Sequence, residues 1–134
     1  MRVHLLDGTY ELFRGFFGAP SYVHRGREVA ATRVVLMAVA RLVKTKVATH
    51  LGVAFDTVIE SFRNELFAGY KTGEGIPEPL HSQFELVERA LAAFGVRTWG
   101  MIEFEADDAV ATAAATCARD ERVEQVVILS LIHI

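Results

Sequence analysis

A chain of 134 residues fits one domain of ~100–200 residues, and an apolar content of 51% excludes a disordered tract. The formal charge of −3 conceals a division, because residues 1–71 carry ten basic and six acidic side chains (+4) whereas residues 72–134 carry four and eleven (−7). The first half suits a polyanion and the second gathers cations.

Val3, Leu5 and Leu6 form an apolar run stopped by Asp7 and Gly8, which predicts a buried strand ended by turn residues. Asp7 also comes too early for the ~7–15-residue apolar stretch of a secretory signal. Residues 22–27 read as a loop from their charge and glycine. Residues 30–47 are apolar on most sides and predict a helix buried under its neighbours. Their longest unbroken apolar run, residues 34–40, is far short of the ~20 needed to span a bilayer, so no membrane association is expected. Residues 51–55 predict a second strand, stopped by Asp56. Strand, helix, strand is the pattern of a parallel sheet with crossover helices.

A basic and aromatic segment follows, with Arg63 as a planar fork, Lys71 as a point charge and Tyr70 as a ring on which a base or sugar could stack. Residues 72–79 read as a loop. Leu80, Phe84, Val87, Leu91 and Phe94 recur at helical spacing behind Pro77 and Pro79, and Gly95 is placed to cap that helix in the left-handed conformation. An extended stretch around residues 96–102 leads to Glu103, Glu105, Asp107 and Asp108. Residues 105–118 hold seven alanines, suiting a close-packed helix with Ala106, Val110, Ala113 and Cys117 inward. Cys117 is the only cysteine, which excludes an internal disulfide and a thiolate zinc site and makes a reducing cytoplasm the expected setting. Residues 126–129 predict a third strand. The string from Leu129 to the end resembles the translated end of a transposon-based sequencing adapter, so residues 129–134 are expected to be non-native read-through after a domain spanning 1–128.

In a parallel sheet the loops leaving the carboxyl ends of the strands surround one crevice. Asp7 and Asp56 each end an apolar run and should share that edge. Entering from the acidic helix start, Glu105 and Asp108 lie on one face while Asp107 points away from both, at ~100° per residue. Five carboxylates in one partly dry crevice repel strongly unless protonated or neutralised. Oxygen ligands of this type suit Mg²⁺ or Mn²⁺, and two ions ~3.5–4 Å apart support phosphodiester cleavage. Each acid taken alone also serves as a helix cap or first-turn residue.

The segments Leu5-Leu6-Asp7-Gly8, Phe13-Arg14, Val53-Ala54-Phe55-Asp56, Ser61-Phe62-Arg63 with Tyr70-Lys71, and Glu105-Ala106-Asp107-Asp108, in this order through nearly the whole chain, resemble the 5′-3′ exonuclease and flap endonuclease family, which includes the amino-terminal nuclease domain of bacterial DNA polymerase I. The resemblance implies an α/β, PIN-like (resolvase-like) three-layer fold with a central, mainly parallel sheet, incomplete at its C-terminus. It also implies Asp7, Asp56, Glu105, Asp107 and Asp108 as ligands of two Mg²⁺ or Mn²⁺ ions, Arg63 and Lys71 on the scissile phosphate, and Tyr70 in a clamp over the 5′ end. The substrate it implies is DNA with 5′ ends or flaps, bound by a monomer. Leu131, Ile132 and His133 stand where the family has an Asp-Lys-Asp segment, and Glu74 stands where a basic residue often follows the Tyr-Lys pair. This fragment is therefore expected to be nearly inactive. A PIN-type ribonuclease and a non-catalytic phosphate-binding or assembly module are the alternatives.

Overall fold

The computed structural model describes residues 1–70 and 72–130. In chain order the elements are β1 (Arg2–Asp7), α1 (Gly8–Gly18), a short hairpin of β2 (Val23–His24) and β3 (Arg27–Glu28), α2 (Ala30–Lys44), β4 (His50–Asp56), α3 (Arg63–Leu66), α4 (Glu78–His81), α5 (Gln83–Phe94), β5 (Arg97–Met101), α6 (Ala106–Ala118) and β6 (Gln125–Leu129). The four long strands form one parallel sheet in the order β5-β4-β1-β6.

Both faces of the sheet are covered, which explains why its central strands are apolar runs without alternation. On one face Leu6, Val53 and Phe55 pack with Leu12 of α1, Val35 and Val39 of α2, and Val87 and Leu91 of α5. On the other, Val3, Leu5 and Ala54 pack with Ala106 and Val110 of α6, with Ala113 and Cys117 at the margin. This is the three-layer α/β sandwich that the sequence predicts, with α6 facing inward as its alanines require. Gly95 caps α5 at φ 91°, in the left-handed region. Gly8, the first residue of α1, lies under the Phe55 ring so closely that an added Cβ would come within 2.3 Å of it. Any larger residue there would displace the Phe55 ring from the core.

Several expectations change in detail. Residues 22–27 belong to a hairpin whose turn places Arg25 and Gly26 at positive φ. The helix expected over 30–47 ends at Lys44, and its Met37 and Val43 are exposed. Residues 80–94 are divided at Ser82 between α4 and α5, and Phe94 is exposed. Helix α1 lies outside the elements expected from sequence, although Leu12, Phe13 and Phe16 stand at helical spacing and pack into the core. Leu129 pairs in register with Leu6, while residues 131–134 lie outside the described residues. Among the described residues no helix is long and apolar enough to cross a membrane.

Candidate functional site

Strands β1 and β4 finish side by side. Asp7 is in register with Ala54, and Asp56 lies two residues farther along, opposite Met101 of β5. Helix α6 begins at the same edge, tied there by the Ala106 amide, which donates to Asp56 Oδ1 at 2.8 Å. Asp56 is 5% exposed and Glu105 8%. The Asp56 amide in turn donates to Thr9 Oγ1 at 2.8 Å, joining the end of β4 to the first turn of α1. The carboxylates predicted from three separate stretches of sequence thus gather at one edge of the sheet.

Within that edge they form two groups with opposite electrostatics. Asp7 caps α1, its Oδ1 accepting from the Tyr10 amide at 3.0 Å. Burial nevertheless pushes its carboxyl up to about 6, and the nearby acids Asp107 and Asp56 add to the rise. Ser130 Oγ lies 3.4 Å from Asp107 Oδ1, and among the described residues no salt bridge reaches Asp7 or Asp107.

The second group is clamped by a cation. Arg63 Nη1 donates to Glu105 Oε2 at 2.5 Å and to Asp108 Oδ2 at 2.9 Å, while Nη2 donates to Asp108 Oδ1 at 2.8 Å. Asp108 Oδ2 also accepts from the Glu105 amide at 2.9 Å, closing the first turn of α6. The guanidinium holds the Asp108 carboxyl below its usual range. The Tyr70 hydroxyl donates to Glu105 Oε2 at 3.3 Å, leaving its ring half exposed.

Arg63 reaches this position because the segment after β4 is stitched to the β5–α6 loop. Thr57 donates to the Met101 carbonyl at 3.0 Å and Phe62 to the Glu103 carbonyl at 2.6 Å. The Phe62 and Phe104 rings meet at 5.2 Å, and Asn64 Oδ1 accepts from the Ser61 amide at 3.0 Å to shape the turn into α3. Thr9, Ser61 and Asn64 were not assigned roles from sequence. A hydroxyl two residues after Asp7, and a Ser–Asn pair three apart just before a helix, were the available signals.

The donor set is all hard oxygen and three carboxylates lie near one another here, so the chemistry suits a divalent cation on the Asp7, Asp56 and Asp107 side. Among the described residues, however, no three acidic, His or Cys side chains converge tightly enough to hold one ion as they stand. Arg63, expected to face phosphate, instead faces Glu105 and Asp108. Glu103 is exposed and contributes its backbone carbonyl rather than its carboxylate. Lys71 lies outside the described residues.

A family model described as the 5′-3′ exonuclease, N-terminal resolvase-like domain matches residues 2–131. The chain is 36% identical over 121 residues to DNA polymerase I of Mycobacterium leprae (strain TN), and 32% over 119 residues to DNA polymerase I of Geobacillus stearothermophilus. Each match takes in 87% of this chain but only 13% and 14% of the respective polymerases. Among solved structures, the T5 D15 protein co-crystallised with metal ions is similar in fold, with a TM-score of 0.69 at 19% identity over 98% of this chain and 48% of that one. The chain thus spans about half the length of that structure and about a seventh of the polymerases.

Proposed function

The chain belongs to the 5′-3′ exonuclease N-terminal, resolvase-like family, and from that premise we propose that it carries the first half of the catalytic centre of a divalent-metal-dependent nuclease that hydrolyses phosphodiesters at DNA 5′ ends or flaps. The supporting observation is the convergence of Asp7, Asp56, Glu105, Asp107 and Asp108 at one edge of the sheet. Asp7, Asp56 and Asp107 would hold Mg²⁺ or Mn²⁺, with Glu105 and Asp108 completing the set. Bound divalent ions supply Lewis-acid charge to the hydrolysis.

The chain's own side chains do the remaining work. Lys71, and Arg63 once turned from its carboxylates, offset charge developing on the phosphate. The half-exposed Tyr70 ring stacks a base or sugar at the 5′ end. The helix dipole of α1 holds Asp7 in place through the Tyr10 amide. Strong DNA affinity requires many phosphate contacts, and the acidic second half of this chain provides few, so the 134-residue chain alone is a poor catalyst.

The test is Mg²⁺-dependent cleavage of a 5′-flapped duplex by the protein extended to the full length of its relatives, beside the 134-residue chain. Turnover by the long form that Asp7→Ala abolishes supports the assignment. No turnover by the long form refutes it, and equal cleavage of a matched RNA points to a PIN-type ribonuclease. If Asp107→Asn leaves Mn²⁺ affinity unchanged in a long form that does not cleave, the chain is a non-catalytic phosphate-binding module.

A further inference from the structure

We infer that Arg63 and a divalent cation compete for Glu105 and Asp108, making Arg63 a latch that couples metal binding to phosphate binding at the proposed site; the inference rests on the metal-site reading above.

The geometry is that of a cation already in place. The guanidinium uses both oxygens of Asp108 and one of Glu105, and Asp108 Oδ2 is further engaged by the Glu105 amide. Few lone pairs remain on Asp108 for an inner-sphere ion while that clamp holds. This accounts for the observation that no three acids are poised around one point among the described residues, although five are gathered along one edge. The guanidinium carries a single positive charge, so a divalent ion has an electrostatic advantage over it at the same carboxylates.

Arg63 is also free to leave. It sits on α3, which is only four residues long, its side chain is 33% exposed, and the apolar side chains that follow it, Leu66 and Phe67, lie in solvent rather than in the core. A planar guanidinium displaced from a carboxylate finds its matching bidentate partner in a phosphate. Phosphate draws the latch open and metal pushes it toward phosphate, so by linkage each must tighten the other by the same factor.

The experiment is calorimetric Mn²⁺ titration of the 134-residue protein, alone and with a short 5′-phosphorylated single-stranded oligonucleotide, for wild type, Arg63→Gln and Asp7→Asn. Arg63→Gln should bind Mn²⁺ roughly tenfold more tightly in the absence of the oligonucleotide, a typical size for competition between two linked ligands, and the oligonucleotide should strengthen Mn²⁺ binding in the wild type but not in that variant. Unchanged or weaker Mn²⁺ binding by a folded Arg63→Gln protein overturns the latch. Arg63→Lys, which keeps the charge but loses the fork, provides the same comparison if Arg63→Gln does not fold, with a smaller gain expected and no gain counting against the latch. Asp7→Asn separates the two ideas: if it binds Mn²⁺ as the wild type does, the metal-site assignment fails, whereas loss of binding there together with no change in Arg63→Gln refutes the latch alone.

Discussion

The two sides of the carboxylate edge are built from the same material and behave oppositely. Asp7 and Asp108 are both partly buried acids at the start of a helix, each accepting a backbone amide at 3.0 and 2.9 Å. Asp7 nevertheless ionises with difficulty and Asp108 with ease. Asp7 is raised first by burial and then by Asp107 and Asp56, whereas Asp108 grips Arg63. A helix N-terminus therefore does not decide the charge state of these acids: burial prevails at Asp7, and the guanidinium prevails over burial at Asp108.

The largest effect that separates the two sides is in the pH dependence of stability. Asp7 has a folded value of about 6 against an ordinary 3.8, so between those values the folded protein binds more protons than the unfolded chain. Stability from this group is then greatest below pH about 4 and falls as pH rises through about 6, by on the order of 3 kcal/mol in all. Asp7→Asn, which can still accept from Tyr10, should be more stable than wild type above pH 7 and about equal to it near pH 3.5. Urea unfolding of both proteins across that range tests it, and a stability difference that does not change with pH would show that burial and the neighbouring acids do not raise the Asp7 carboxyl.

A somewhat smaller effect should follow from making the second side resemble the first. Arg63→Ala removes the guanidinium from Asp108 and from the buried Glu105, which should cost about 2 kcal/mol in the absence of divalent ions. Added Mn²⁺ should then stabilise Arg63→Ala more than it stabilises wild type, measured as the shift in thermal midpoint. Equal shifts in the two proteins would indicate that the ion does not take the place of the guanidinium.

How much of this could be read from the chain differs between the two sides. That Asp7 and Asp56 share an edge is legible because an apolar run followed at once by an acid is a local pattern, and a parallel sheet brings all such ends to one side. The separation of Asp107 from Glu105 and Asp108 follows from helical spacing alone. The clamp is not legible, because the reach of the Arg63 side chain to Glu105, 42 residues away, depends on hydrogen bonds between the segment after β4 and the β5–α6 loop. The hairpin at 23–28 was hidden for a different reason. Its turn puts Arg25 at a positive φ of 51°, where Asn or Asp is the usual marker, so a tight turn looked like a charged loop.

The smallest test probes the joint between the two sides. The Asp56 amide donates to Thr9 Oγ1, and Asp56 Oδ1 accepts from the amide that begins α6, so one short path runs from the first turn of α1 through the end of β4 to the clamped acids. Thr9→Val keeps the shape and removes the Oγ1 acceptor of this amide, at a cost of about 1 kcal/mol. Hydrogen exchange at the Asp56 amide should quicken in that variant while the amides of β6, on the far side of β1, keep their protection. If exchange instead quickens equally along the whole sheet, the hydroxyl supports the fold in general rather than the alignment of Asp56 between the two groups of acids.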